Sequence, residues 1–201
     1  MNIERMDATF ERLKWDQDAT VSADFVRAAM QSRDLEVLGT LYQFLCTEHG
    51  PAAIAPPLGP GELTGFASSY LARCLREDPP ADDFIAQRAC TRYGAGWEVV
   101  RWYVRLHKAM PPEAEALATL RAMLAGLYLE GDAALRSAIA GGTLAHLFAS
   151  NAVRRTFSEW KSDPALRAAY RGALPAFDQR TRLRARRLQP LTKKSSTAIR
   201  T

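Results

Sequence analysis
The sequence is poor in the groups that carry most enzyme chemistry. Its three cysteines, Cys46, Cys74 and Cys90, cannot all pair and none stands in a CxxC spacing. That excludes a disulfide framework and a dithiol or thiolate-metal motif, and it fits a reduced, cytoplasmic protein. The three histidines, His49, His107 and His146, lie far apart. Neither HExxH nor Glu-x-x-His occurs, so no helix face offers two ligands to one metal. There is no GxSxG elbow, and Gly59, Gly61 and Gly65 of "GPGELTG" have the wrong spacing for a dinucleotide fingerprint. The expectation is a chain with no catalytic residue, no cofactor and no metal.

Other absences bear on architecture. Period-two alternation of apolar and polar residues is missing, which removes the usual signal for strands. No apolar run is long enough to span a bilayer, and "MNIERMDATFERLKW" carries charges throughout, unlike a signal peptide. No membrane insertion is expected.

What the chain has in abundance is helix-forming residues. Alanine occurs 34 times and arginine 22 times, against 5 lysines, in 201 residues that are 47% hydrophobic. This composition suits one all-helical domain with a proper core. Ser22 caps "ADFVRAAM", and Asp34 caps "LEVLGTLYQFL", which should end near His49-Gly50-Pro51. "GPGELTG" reads as a loop connecting helices, and further helices are expected at about 61–77, 81–92 and 95–109. Pro111-Pro112 with Glu113 and Glu115 starts the next helix. Its leucine stripe, Leu117, Leu120, Leu124 and Leu127, is followed by a Gly131-Asp132 turn and a second stripe of Leu135, Ile139, Leu144, Leu147 and Phe148. Gly141-Gly142 inside that second helix predicts a close approach by another backbone, because unpacked glycine costs a helix roughly 1 kcal/mol. Asp163-Pro164 caps "ALRAAYRGAL".

The segment "GWEVVRWYVRLHK", residues 96–108, concentrates aromatic and basic side chains. On a helical wheel Glu98, Arg101, Arg105 and Lys108 share a narrow arc, while Trp97, Trp102, Tyr103 and the aliphatic residues cover the rest. A platform for nucleic-acid bases would interleave the two kinds of side chain. Their segregation predicts a central core helix with a thin solvated stripe and Trp102 buried.

Isolated polar residues have structural explanations. His146 shares a face with Leu135 and Ile139 and reads as a hydrogen-bonded core histidine, His49 as a partner of a helix C-terminus, and Asp82-Asp83 as helix-capping acids. Cysteines within helical stretches read as buried structural thiols, although arginines near Cys90 offer a route to a lowered pKa.

Charge divides the chain in two. Residues 1–178 hold 19 basic and 22 acidic groups, whereas residues 179–201 hold eight cations and no acid. The domain therefore runs over 1–178, and 179–201 forms a basic, flexible tail without an apolar stripe. Arg180, Arg182, Arg184, Arg186, Arg187, Lys193 and Lys194 are its candidate anion- or nucleic-acid-binding residues.

"GDAALRSAIAGGTLAHLF" after a leucine-striped helix resembles the second helix of a HEAT-type repeat, with Asp132, Arg136, Ala138 and Leu144 at the matching positions and the likeness best over residues 112–149. The order "GW…W…LY.EGD..LR..I..G.L.HLF" also resembles small all-helical bacterial proteins of unassigned function, some suspected to be immunity proteins. These resemblances imply an all-α bundle or short HEAT-like solenoid of antiparallel helix pairs that binds another protein without catalysis. The alternatives are nucleic-acid association through the basic arm and an enzyme whose pocket assembles from residues distant in sequence.

Overall fold
The computed structural model describes residues 3–16, 19–79 and 90–174. It is mostly helical, as the composition implies. In chain order the helices are α1 (Ile3–Trp15), α2 (Ala23–Met30), α3 (Leu35–Leu45), α4 (Pro60–Glu77), α5 (Arg92–Lys108) and α6 (Ala114–Glu130). Then α7 (Ala133–Ser137) passes without a break into a π segment (Ala138–Leu144) and α8 (Ala145–Leu147), followed by α9 (Asn151–Arg155), a 3-10 turn (Ser158–Lys161) and a helix α10 over 167–174. No described helix is long and apolar enough to cross a membrane.

The helix starts follow side-chain chemistry. Ser22 Oγ accepts from the Phe25 N–H at 3.2 Å, Asp34 from Glu36 at 2.8 Å and Asp132 from Leu135 at 2.8 Å, whereas Asp163 accepts from Ala165 at 2.8 Å in a turn that precedes α10. Each of the first three bonds satisfies an N–H that the helix itself leaves unpaired. "GPGELTG" departs from the loop expected of it. Pro60 opens α4 with its φ already set, and Glu62 Oε2 accepts the Gly59 N–H at 2.9 Å, so proline and carboxylate outweigh the glycines.

Three other boundaries differ from expectation. Val21–Ser22 and Ile54–Ala55 form a short parallel pair, too brief for alternation to mark. Most of the helix expected at 81–92, with Asp82-Asp83, lies outside the described residues, but Cys90 and Thr91 are not helical and Thr91 caps α5. Helix α3 stops at Leu45, because the chain turns back so tightly that a Cβ on Gly50 would lie 2.0 Å from the Phe44 carbonyl oxygen. His49 does serve a helix end, but that of α1, through Nε2 to the Leu13 carbonyl at 2.8 Å.

Packing runs from α1 and α2 onto α3, from α3 onto α4, and from α4 onto α5 and α6; α5 also meets α6, the π segment and α8. Pro60 and Gly61 of α4 lie beside Ala114 and Glu115 of α6, and Arg76 pairs with Glu130 at the other end, so α4 and α6 run parallel. Helix α5 packs against both of them in the opposite sense. It buries Ala95, Val99, Val100, Tyr103 and Leu106 and exposes Arg101, Arg105 and Lys108 of the stripe read from the sequence, whereas Glu98, expected on that stripe, is half-buried and accepts from the Tyr42 hydroxyl. The Tyr103 hydroxyl, fully inside, contacts Thr156 Oγ1 and accepts from Arg121 Nη1 at 3.2 Å, joining α5 to α6 and the C-terminal layer.

Trp102 corrects the wheel, since it is only half-buried. Its indole N–H needs a partner and finds one at the edge of the core, the Tyr42 hydroxyl at 2.8 Å, while the Arg105 guanidinium covers its ring at 4.2 Å.

Among the caps, Asp132 holds the turn between α6 and α7. Asp132→Ala should lower stability by about 1 kcal/mol, the usual value of an N-cap, and chemical denaturation will measure it.

Candidate functional site
The π segment forms one wall of a concavity. A cleft of about 260 Å³ lies where the end of α4, the start of α5 and the π segment meet, lined by Asp78, Arg92, Tyr93, Gly96, Trp97, Ala138, Gly142 and Thr143. In a π turn the hydrogen bonds close over five residues, so the helix widens and its side chains rotate relative to an α-helix. Ile139 and Leu144, five apart, are both fully buried as a result.

Two glycines shape the cleft in opposite ways. A Cβ on Gly96 would lie 2.8 Å from Thr143 Oγ1, so this glycine lets α5 touch the π segment. A Cβ on Gly142 would meet nothing within 4 Å, and the same is true of Gly141. The close approach expected at Gly141-Gly142 is therefore absent: their missing side chains leave open space, and the close contact falls at Gly96.

The walls are aromatic and the mouth is charged. Trp97 lies against the His146 ring at 3.9 Å between centroids, and Tyr93 meets Trp97 edge-on at 6.4 Å. His146 is thus half-buried behind an indole, at the margin of the core expected for it. At the mouth Asp78, in a left-handed conformation at the end of α4 (φ 49°), accepts the Arg92 N–H at 3.1 Å and pairs with the Arg92 guanidinium at 3.1 Å. Arg92 Nε and Nη2 donate to the carbonyls of Leu75 and Arg76 at 2.7 and 3.1 Å. Both charged groups are thus tied to each other and to helix ends, which leaves the cleft neutral and mainly apolar.

Thr143 is the one polar group of the cleft with an unmet requirement among the described residues. Its side chain is 1% exposed and Oγ1 has no hydrogen-bond partner. A buried hydroxyl of this kind costs free energy until something bonds to it.

The cysteines form a separate region. The Tyr42 and Tyr70 rings meet at a tilt with centroids 4.9 Å apart, the Tyr42 hydroxyl donates to Glu98 Oε2 at 3.0 Å, and the Tyr70 hydroxyl accepts the Cys90 N–H at 3.0 Å. Cys74 is buried as expected, whereas Cys46, at the C-cap of α3, is exposed. Loss of water around the sulfur is nevertheless the largest influence on all three thiols and raises each, Cys74 to about 11. Arg101 pulls Cys90 the other way, but more weakly than burial pushes it up, so the activated Cys90 suggested by its neighbours does not arise. Among the described residues no group of His, Cys, Asp and Glu is placed to hold a metal.

The arginines of the body are largely engaged. Arg73 pairs with Glu77, Arg76 with Glu130, Arg92 with Asp78 and Arg101 with Glu98. Arg180, Arg182, Arg184, Arg186, Arg187, Lys193 and Lys194 lie outside the described residues.

Two predictions follow from these contacts. Gly96→Ala should destabilise the protein by about 1–3 kcal/mol through overpacking against Thr143, whereas Gly142→Ala should stabilise it by roughly 0.5–1 kcal/mol by removing a helical glycine at no steric cost. Equilibrium unfolding of the two variants will give shifts of opposite sign. In native-state alkylation at mildly alkaline pH, Cys46 should react first and Cys74 last. All three should react more slowly than an unperturbed thiol, because a raised pKa leaves less thiolate, and mass spectrometry of the time course will order them.

The chain matches no protein-family model, no curated protein and no solved structure.

Proposed function
We propose that this chain is a non-catalytic binding protein, an adaptor or immunity-like protein, that docks another protein at the end of the bundle where α4 and α6 finish and α5 begins. The observation that carries the reading is Tyr93, 68% exposed at the rim of an apolar cleft. Leu129, 46% exposed, projects from the last turn of α6 at the same end. A tyrosine that covers apolar surface while keeping a polar tip is the kind of side chain that dominates protein interfaces.

The surrounding charges support this use. Asp78–Arg92 and Arg76–Glu130 are already paired, so a partner settling here meets few charges that need new counterions. Trp15 and Met110 are also exposed, Met110 just past the end of α5 opposite the cleft. Single exposed apolar side chains are ordinary, whereas a cleft bordered by them marks a contact site.

The test is affinity capture of the tagged full chain from its native cell with nuclease treatment, repeated with Tyr93→Ala and Leu129→Glu. Tyr93→Ala should weaken the captured complex by about 2 kcal/mol, the scale of an interface hot spot, with the circular dichroism spectrum unchanged. A protein partner retained at full affinity by both variants would place the docking surface elsewhere. Capture that disappears on nuclease treatment would favour the nucleic-acid alternative.

A further inference from the structure
We propose that Cys74 and Cys90 form a redox-modification site, a pair of thiols that joins reversibly in an intramolecular disulfide when the protein meets a peroxide. This goes beyond the docking reading and does not rest on it.

Tyr70 brings the two cysteines together. Tyr70 and Cys74 stand four apart on α4 and therefore share a face of that helix. The Tyr70 hydroxyl accepts the Cys90 N–H at 3.0 Å, which lays Cys90 along the same face. Arg92, two residues on, donates to the Leu75 carbonyl at 2.7 Å and to the Arg76 carbonyl at 3.1 Å, so the chain here runs beside the turn of α4 that holds Cys74. Burial raises the Cys74 thiol, while hydrogen bonds from the Tyr70 hydroxyl and from the Cys90 N–H act against it. Burial likewise raises the Cys90 thiol, and the same hydroxyl opposes it. One hydroxyl thus reaches both sulfurs, and the Cys90 backbone faces the Cys74 sulfur as well. A disulfide needs Cα atoms roughly 4.4–6.8 Å apart, the separation that arises when the N–H of one residue faces the sulfur of the other. Cys46 has other partners, the Tyr42 hydroxyl and the Trp102 N–H, at the end of α3.

Exposure divides the roles. Cys90 is half-buried and open to a small oxidant, whereas Cys74 is fully inside. The Cys90 thiolate attacks one oxygen of the peroxide; an S–O bond forms, the O–O bond breaks, and the departing hydroxide leaves as water with the proton that Cys90 gave up. The Cys74 thiolate then attacks the Cys90 sulfur. The S–S bond forms, the S–O bond breaks, and a second water leaves with the Cys74 proton. Two thiols lose two electrons and one peroxide becomes two waters. The bridge closes the chain over residues 75–89 and ties the start of α5 to α4, next to the Asp78–Arg92 pair at the mouth of the cleft.

The experiment treats the full chain with hydrogen peroxide, alkylates the remaining thiols after denaturation and maps the peptides by mass spectrometry. The expected result is a Cys74–Cys90 peptide, released by dithiothreitol, in the native chain and in Cys46→Ala alike. Its rate of formation should rise about ten-fold from pH 7 to pH 8, because thiolate is the attacking form and burial holds both thiols above their ordinary range. The oxidised chain should melt at a higher temperature than the reduced one, since the bridge restricts the unfolded chain. Cys74→Ser should leave Cys90 as a sulfenic or sulfinic acid, and Cys90→Ser should leave Cys74 reduced; should either variant not fold, the peptide map of the native chain decides. A native chain whose Cys90 is oxidised to the sulfinic acid beside a reduced Cys74 would overturn the proposal. So would bridges confined to Cys46, or three thiols retained at pH 8 in a large excess of peroxide. The mapping needs no partner, so this proposal and the docking reading fail separately.

Discussion
Helix α5 and the π segment touch where neither has room to spare, at Gly96 and Thr143, and much of the molecule is arranged around that contact. A methyl group on Gly96 would collide with the threonine hydroxyl. With the two rods in contact at that point, the side chains on either side are committed: Trp97 falls against His146, Val99 and Tyr103 enter the core, and the wider π turn leaves Gly142 facing a void. Protein interiors are close-packed, so a space of this size beside such a tight contact is a property of the local helix geometry. The unsatisfied hydroxyl and the cleft therefore have one origin, the replacement of an α turn by a π turn between Ile139 and Leu144.

Electrostatics reinforces the same end of the bundle. Arg92 reaches back from the first turn of α5 to the last carbonyls of α4 while Asp78 caps α5 in return, so two helix ends with opposite dipoles are closed by one ion pair. A charged pair used in this way holds the mouth of the cleft without giving it a net charge. Arg76 at the same end, and Arg73 and Arg101 elsewhere, are similarly paired with carboxylates, and Arg105 rests on Trp102. The aromatic and basic residues that crowd residues 96–108 are thus divided largely between packing and pairing.

The residues of the cleft come from the end of α4, the start of α5 and the π segment, stretches separated by up to 65 positions along the chain. Trp97, Arg92 and Gly142 each attract notice in the sequence, but for unrelated reasons, and nothing in one dimension brings them together. One signal was present and is easily passed over. The apolar stripe of the second hairpin helix runs Leu135, Ile139, Leu144, Leu147, with steps of four, five and three. A step of five cannot keep two side chains on one face of an α-helix, and both are fully buried. The irregular step is the mark of the π turn, and the glycine pair beside it is better understood as part of that widening than as a packing notch.

What the sequence determined by itself is what local chemistry decides. Caps at Ser22, Asp34 and Asp132, the turn at Asp163, the proline at the head of α4, the leucine stripes of the α6 hairpin and the solvated arc of α5 all depend on residues within a few positions of one another. Tertiary structure alone decided where partial burial stops and where space is left. Trp102 sits at the edge of the core because its indole N–H found Tyr42, sixty residues away, and burial pushes the Cys90 thiol up more strongly than Arg101 pulls it down. The cleft exists because a glycine in one helix and a threonine in another meet, a distance that no spacing along the chain encodes.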